Sequence, residues 1–200
     1  MATILILYSS TDGHTLKICQ RIGQWLDAAG QTVTLKPLDT AQAQDLQACD
    51  RFVIGAAIRY GKHRPEVVAF ITRHHAVLQS RPGGFFSVNL VARQAEKAKV
   101  EHNPYLQRFL RGLIWQPDWL AVFAGKLDYS RYRWHDRLMI RLIMWMTGGP
   151  TDSATVREYT DWRQVEAFAA QLLEAENPEQ SVRADSFRNG DTVAAIALGT

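Results

Sequence analysis

Residues 3–15 read TILILYSSTDGHT, an apolar run followed at once by a hydroxyl-rich loop with one glycine. The run is rich in branched side chains, which is typical of a strand buried on both faces of a sheet. Residues 15–29 then place apolar side chains at helical spacing until Gly30 ends the segment. A strand, a small polar loop and a helix in this order predict the first unit of a parallel α/β sheet.

The same alternation continues along the chain. Further strands are predicted at 32–35, 52–58, 84–91 and 119–127, and further helices from Pro65 and over 161–175. Strands that alternate with helices imply right-handed crossovers and one parallel sheet. We therefore expect an α/β domain over residues 1–176 with a doubly wound five-stranded sheet. The order 2-1-3-4-5 is the one expected if the sheet is of the doubly wound type that binds a mononucleotide at its switch point. The polar residues 177–200 are expected to form a mobile tail.

Positive charge is concentrated around the predicted fifth strand. The 200 residues include 23 Lys and Arg and 20 Asp and Glu, a formal net charge of +3. Residues 93–150 hold ten of the basic and five of the acidic residues, which gives this segment +5 and leaves −2 for the rest. The segment is also longer than a minimal five-strand unit needs. We interpret it as a basic, partly helical insertion around strand 5.

A helix is predicted inside this insertion, over residues 131–147, with a basic stripe beside an apolar one. The two stripes are Arg133, Arg137 and Arg141, and Trp134, Leu138, Leu142 and Trp145. A basic face next to an apolar face with tryptophan is typical of a helix in a membrane interface, where anionic lipids attract each nearby Arg by about 1 kcal/mol. A core helix whose arginines reach solvent, or a dimerisation surface, is the alternative.

Three loops follow predicted strands at the carboxyl edge of the sheet, where doubly wound folds bind ligands. The first loop consists of Ser9, Ser10, Thr11, Asp12, Gly13, His14 and Thr15. Backbone amides, hydroxyl donors and the start of a helix together suit a phosphate group. The patterns GxxxxGK[ST] and GxGxxG are absent, which argues against a nucleoside triphosphate or a dinucleotide at this loop. A plain polar turn with a helix cap is the alternative.

The other two loops have the composition expected around a planar ring. The second consists of Ala57, Ile58, Arg59, Tyr60 and Gly61, where small residues admit a ring and Tyr60 can stack on it. The third consists of Val88, Asn89, Leu90, Val91, Ala92 and Arg93, whose amides and Asn89 side chain can bond the pyrimidine edge of a flavin. Taken together, the three loops predict a mononucleotide site for FMN.

Several blocks of the sequence resemble known families. Residues 4–22 resemble the phosphate loop of flavodoxins. Other blocks resemble the menaquinone-dependent protoporphyrinogen IX dehydrogenases of bacterial haem synthesis, at residues 55–61, 86–93, 129–134, 139–144, 148–152 and 159–162. The resemblance covers about residues 3–175. One departure from the common flavodoxin pattern is Asp12, which stands where a hydroxyl residue usually precedes the glycine, and which we expect to turn outward or to cap the helix.

The resemblance implies a flavodoxin-like domain that uses FMN to oxidise protoporphyrinogen IX to protoporphyrin IX and passes the electrons to menaquinone or another quinone. It places the FMN phosphate at residues 9–15 and the ring between residues 57–61 and 88–93. Arg59 and Arg93 are the candidates for binding substrate carboxylates. No catalytic side chain is assigned, because flavin N5 accepts the hydride and the protein mainly positions the reactants.

The remaining expectations concern location and partners. The amino-terminal apolar run is too short for a signal peptide or a membrane span, which predicts a cytoplasmic protein. We expect it to bind the inner face of the cell membrane through the helix at 131–147. The histidines lack metal-ligand spacing, so no metal is expected, and neither is a nucleic acid. Formation of a homo-oligomer is left open.

Three other functions compete with this interpretation. A flavodoxin-like electron carrier usually presents an acidic face, whereas this chain gathers positive charge. An NAD(P)H:quinone oxidoreductase on the same fold would reduce its flavin with NAD(P)H without any tetrapyrrole. A non-catalytic module that binds RNA or a protein through the basic helix would not bind FMN.

Overall fold

The computed structural model describes residues 1–128, 138, 140–142, 144, 152 and 156–174. The strands are β1 (Thr3–Ser9), β2 (Thr32–Pro37), β3 (Arg51–Arg59), β4 (Lys62–His63), β5 (Gly83–Asn89), β6 (Trp119–Ala124), β7 (Lys126–Asp128) and β8 (Val156–Glu158). The helices are α1 (His14–Ala28), α2 (Ala43–Gln47), α3 (Pro65–Gln79), α4 (Pro104–Arg111) and α5 (Trp162–Glu174). The tail predicted at 177–200 lies outside the described residues, as does most of the helix predicted at 131–147.

The main sheet has the predicted topology. Five parallel strands lie in the order β2-β1-β3-β5-β6, and the short β4 pairs antiparallel with the end of β3. Because β4 is only a hairpin strand, this is the predicted order 2-1-3-4-5 with one extra strand in the count. The doubly wound parallel sheet is confirmed.

Two helical layers cover the two faces of the sheet. Successive side chains of a strand point to opposite faces. In β1, Leu5 and Leu7 therefore pack in the layer that contains α2, α3 and α4, whereas Ile4 and Ile6 pack against α1 and α5. Both sets are almost fully buried, which explains why all four central positions of β1 are apolar.

Strands β3 and β5 are joined by two reciprocal pairs of a phenylalanine and a glycine. Phe52 lies opposite Gly83, and Phe86 lies opposite Gly55, on the other face of the sheet. A Cβ atom on Gly83 would come within 2.2 Å of the Phe52 ring, and one on Gly55 within 2.2 Å of the Phe86 ring. Each ring therefore covers the glycine of the neighbouring strand, and neither glycine has room for a side chain.

The structure corrects two predicted strand ends. The strand predicted at 84–91 stops at Asn89, because the Asn89 side chain accepts a hydrogen bond from the Ala92 N–H and starts a short 3-10 helix over Leu90–Arg93. The strand predicted at 119–127 is broken at Gly125. Beyond it, β7 leaves the sheet and pairs antiparallel with β8.

Two helices were not predicted, although the sequence contains signals for both. Helix α4 begins after Asn103, whose side chain caps the Leu106 N–H, with Pro104 in the first turn. Helix α2 begins with a capping box formed by Gln42 and Asp45. No helix among the described residues is long and apolar enough to cross a membrane.

The fit of Phe52 over Gly83 gives a testable prediction. We expect Gly83→Ala to lower the free energy of unfolding by about 1 to 3 kcal/mol, because the new methyl group forces the Phe52 ring out of a close-packed site. Urea denaturation measures the change. Gly112→Ala is the control, since its Cβ meets no atom closer than 3.6 Å, and we expect it to change stability by under about 0.5 kcal/mol. Equal stability of the two variants would contradict this packing argument.

Candidate functional site

A pocket opens at the carboxyl edge of the main sheet, where all three predicted loops meet. Most of the predicted cofactor-binding residues line it. These are Ser10, Thr11, Asp12, His14, Thr15, Ala57, Ile58, Arg59, Tyr60, Gly61, Val88, Asn89, Leu90 and Val91. The sheet explains why residues so distant in sequence meet here, since the carboxyl ends of parallel neighbouring strands share one edge.

The first loop wraps around the start of α1. Gly13 has a left-handed backbone with φ 82°, and the Ser10 Oγ accepts a hydrogen bond from the Gly13 N–H at 3.1 Å. This turn directs the first backbone amides of α1, which have no partner inside the helix, toward the loop. Thr15 is 1% exposed and lines the pocket. Hydroxyls and amides therefore converge at one end of the pocket without any lysine in the loop.

Asp12 lies beside Arg59 rather than at the helix cap. Its carboxylate is 3.8 Å from the Arg59 guanidinium across the pocket, and the N-cap residue of α1 is Gly13. We expected Asp12 to turn outward or to cap the helix; Gly13 takes the N-cap position, and the Asp12 side chain is 42% exposed. The ion pair connects the first loop to the second one.

The second loop is a tight turn between β3 and β4 that carries a strained residue. Tyr60 has φ 52° and Gly61 has φ 76°, the two positive angles that a two-residue hairpin turn of this kind requires. For a tyrosine this conformation costs about 1 kcal/mol or more. Tyr60 is also 55% exposed, with the Arg59 guanidinium 5.5 Å from its ring centre. The turn therefore holds an aromatic ring and a cation at the mouth of the pocket.

The third loop is held by a buried hydrogen-bond network. The Asn89 Oδ1 accepts bonds from the Ala92 N–H and from the Asn103 amide, and its Nδ2 donates to the Ser87 hydroxyl at 3.4 Å. The Ser87 hydroxyl also meets the Nε2 of His63 at 3.1 Å. Burial lowers the pKa of His63 to about 4, so this ring is neutral at neutral pH. The Asn89 side chain thus shapes the loop from within.

Four predicted cofactor-binding residues do not line this pocket, namely Ser9, Gly13, Ala92 and Arg93. The Ser9 hydroxyl donates to Glu66 at 3.4 Å, and the Arg93 guanidinium donates to the Leu90 carbonyl at 3.1 Å. Ala92 is buried in the core, and Gly13 provides the turn before α1. Of the two arginines expected to bind carboxylates, the structure therefore places Arg59 at the pocket and Arg93 beside it.

Five further lining residues were missed by the sequence analysis. They are Tyr105, Gly125, Lys126, Ile140 and Met144. The first comes from α4, which the Asn103–Pro104 pair would have located. Gly125 and Lys126 lie where the predicted fifth strand breaks, and a glycine followed by a charged residue inside an apolar run is a signal that could have located this break. Ile140 and Met144 are four residues apart, the spacing of one helical face.

The described residues of the predicted basic helix have two different surroundings. Leu138, Ile140, Arg141, Leu142 and Met144 are all helical. Met144 is fully buried against Leu127, with Ile140 packed beside them. Leu138 and Leu142 are 64% and 54% exposed, and Arg141 is exposed as well. The other residues predicted to contact a membrane, Arg133, Trp134, Arg137 and Trp145, lie outside the described residues.

The chemistry of the pocket lining suits a flavin. One end offers hydroxyls and helix amides, which suit a phosphate. The opposite part is bounded by Tyr60, Leu90, Val91, Ile140 and Met144, an apolar wall for a planar ring system. Among the described residues, no cluster of three or more His, Cys, Asp or Glu is arranged to hold a metal ion. The residues present therefore fit a phosphorylated aromatic cofactor.

Comparisons with known proteins agree with this site. The flavodoxin-domain family matches residues 5–154. A protoporphyrinogen IX dehydrogenase (quinone) of Escherichia coli K12 is 43% identical over 168 residues, which cover 84% of this chain and 93% of that protein. A protein of the same name from Leishmania major is 39% identical over 167 residues, covering 83% of this chain and 72% of that protein.

A solved structure supports the fold independently of close sequence similarity. A short-chain flavodoxin associated with a bacterial microcompartment superposes with a TM-score of 0.51 at 14% identity, covering 88% of this chain and all of that chain. A flavodoxin domain implies a flavin cofactor, which agrees with the chemistry of the pocket. The chain therefore belongs to the flavodoxin-domain family, and its resemblance to the quinone-dependent protoporphyrinogen IX dehydrogenases within that family is confirmed.

Proposed function

We propose that this protein uses FMN to oxidise protoporphyrinogen IX to protoporphyrin IX and delivers the electrons to menaquinone or another quinone. The observation that carries the proposal is the pocket itself. It joins a phosphate-binding end to an apolar, cationic mouth, in a chain 43% identical over most of its length to a dehydrogenase of that substrate. A flavodoxin fold alone would not identify the substrate, because this fold hosts many redox reactions.

The first loop supplies the specificity for a mononucleotide. Backbone amides at the start of α1, with the hydroxyls of Ser10, Thr11 and Thr15, provide donors for a phosphate dianion. Asp12 carries the wrong charge for that role, but Arg59 on the opposite wall neutralises it. The phosphate end therefore favours FMN over riboflavin, which lacks the phosphate.

The two walls of the pocket position the ring and the substrate. Tyr60, Leu90 and Val91 line the pocket together with the apolar side chains of Ile140 and Met144, and we expect them to hold the ring and to exclude water from it. When bound, FMN would supply two-electron redox chemistry between the substrate and the quinone. Since complete oxidation of protoporphyrinogen IX releases six electrons, three quinones are reduced for each porphyrin formed.

Arg59 is the proposed contact for a substrate carboxylate. Its side chain is 30% exposed at the pocket and already lies beside one carboxylate, that of Asp12. A guanidinium can pair two carboxylate oxygens at once, which suits the propionate groups of a tetrapyrrole. Arg93, bonded to the Leu90 carbonyl in the same loop, is the second candidate.

The helix of the insertion is proposed to bind an anionic membrane surface. Its inward residues Ile140 and Met144 close the pocket, and its outward residues Leu138, Arg141 and Leu142 are exposed. Exposed leucines next to arginine suit the headgroup region of a bilayer. A quinone resides in the bilayer, so this arrangement brings the acceptor close to the pocket from a peripheral position on the inner face of the cell membrane.

The first prediction of the proposed function concerns the reaction. Under anaerobic conditions, protoporphyrinogen IX is expected to bleach the visible absorbance of FMN-loaded protein while porphyrin fluorescence rises, and menaquinone is expected to restore the flavin absorbance. A stopped-flow spectrometer follows both signals. NADH and NADPH serve as competing donors: if they bleach the flavin rapidly and protoporphyrinogen IX does not, the protein is an NAD(P)H:quinone oxidoreductase instead.

The second prediction concerns the phosphate end. Replacing Ser10 and Thr15 together with alanine is expected to weaken FMN binding at least about a hundredfold, because two hydrogen bonds to a charged group are lost, each worth about 1.5 to 3 kcal/mol. Quenching of flavin fluorescence measures the affinity. Ser80→Ala is the control, since its hydroxyl bonds the Val77 carbonyl away from the pocket. Unchanged affinity in the double variant would remove both residues from the phosphate site.

The third prediction concerns the membrane. Changing Arg133, Arg137 and Arg141 to glutamate is expected to abolish co-sedimentation with liposomes containing phosphatidylglycerol while FMN stays bound. A control of equal charge change replaces three exposed arginines elsewhere, which are Arg73, Arg111 and Arg163. If both triple variants lose co-sedimentation with liposomes to the same extent, the net charge of the protein explains its attraction to the membrane. The helix is then not the contact.

A further inference from the structure

The side chain of His14 connects the phosphate end of the pocket to the strand that returns from the insertion. His14 is the first residue of α1, directly after the phosphate loop, and it lines the pocket. Its Nε2 is 2.6 Å from the Oγ1 of Thr160, just beyond β8, and its ring meets Trp162 edge-on at 6.3 Å between centres. A titratable ring therefore lies where a phosphate is proposed to bind.

The hydrogen-bond geometry determines which nitrogen of His14 carries the proton. Thr160 has one hydroxyl hydrogen, and it donates this hydrogen to the Ala124 carbonyl at 2.7 Å. The hydroxyl can then only accept from His14, so the Nε2 is the donor in this pair. In a neutral ring with Nε2–H, the Nδ1 is an unprotonated acceptor and remains available for a second proton.

The charges around His14 are of both signs. Burial is the main reason why the pKa of His14 lies below its ordinary value, and the cations Lys17 and Lys126 lower it further. Glu158 raises the pKa of His14, but its carboxylate is itself bonded to Lys17 at 2.9 Å and to the Trp162 indole at 2.9 Å. The ring is therefore neutral at neutral pH in the absence of a ligand, and a phosphate dianion placed beside it would favour the protonated ring.

We propose that His14 takes up one proton from solvent when a phosphate group enters the loop, so that the imidazolium stabilises the phosphate and cofactor binding tightens as the solution becomes more acidic. The inference rests on the proposed FMN function and deepens it. The only bond that forms is the N–H bond at Nδ1, and the buffer supplies the proton. The Nε2–H bond to Thr160 is kept in both states, so the ring does not have to move.

The direction of the effect follows from linkage. A dianion favours the charged form of the imidazole, so the pKa of His14 is higher in the complex than in the free protein. Affinity then rises as pH falls through the pKa of the complex and levels off below the pKa of the free protein. Each pH unit by which the pKa of His14 rises in the complex gives about a tenfold gain in the affinity for FMN. The phosphate itself stays largely dianionic above about pH 6.5, because its second pKa is about 6.

The test is to measure FMN affinity by isothermal titration calorimetry between pH 8.5 and 6.5, in two buffers of different ionisation enthalpy. The wild-type protein is expected to gain about tenfold in affinity over this range and to take up part of a proton per FMN bound. His14→Gln retains a donor for Thr160 but cannot titrate, and it is expected to gain less than about twofold. His75→Gln on α3 is the matched control and is expected to behave as wild type.

Riboflavin tests the contribution of the phosphate to proton uptake separately from that of the flavin ring. Because it lacks the phosphate, its binding is expected to show no proton uptake in either protein. Equal proton uptake by wild-type and His14→Gln proteins on binding FMN would overturn the inference while leaving the FMN site intact. So would proton uptake with riboflavin that matches the FMN value. Absence of FMN binding at every pH would overturn the proposed cofactor as well, which distinguishes the two failures.

Discussion

The carboxyl ends of β1, β3, β5 and β6 lie in register at one edge of the sheet. Ser9 lies beside Ala56, Ala57 beside Val88, and Asn89 beside Ala124. Because parallel strands in this register end together, three loops that are far apart in sequence emerge side by side. The pairs Phe52–Gly83 and Phe86–Gly55 keep β3 and β5 packed on both faces. The distance between the second and third loops, and hence the width of the slot, depends on this pairing.

Much of this arrangement could be predicted from the sequence because it depends on local patterns. Apolar runs and helical periodicity predicted the strands and helices, and the doubly wound fold type supplied the order 2-1-3-4-5 and put the three loops on one edge. One strand was predicted across residues 119–127, although Gly125 and Lys126 interrupt its apolar run, and the bond from the Tyr159 N–H to the Gly125 carbonyl lies at the break. Lys126 was missed for the same reason: a residue expected inside a buried strand in fact lies at the pocket.

The role of individual side chains was harder to predict than their location. Asn89 lines the pocket, but its amide holds the loop, and the exposed Asp12 lies beside Arg59. Both outcomes arise from partners distant in sequence, Asn103 and Arg59, which no spacing rule brings together. Composition thus pointed to loops that line one pocket, whereas the assignment of hydrogen bonds within it required the fold.

The antiparallel pair β7–β8 has a consequence for how this fold can change in evolution. The chain leaves the sheet at Gly125 and returns at Tyr159, where the two residues are hydrogen-bonded to each other. The two ends of the intervening segment are thus fixed a few ångströms apart, so the cost of closing that loop rises only slowly with its length. The length of this segment can therefore change without altering a pairing of the parallel sheet. The antiparallel pair β7–β8 thus separates the parallel sheet, which forms the core, from a segment that contributes side chains to the pocket.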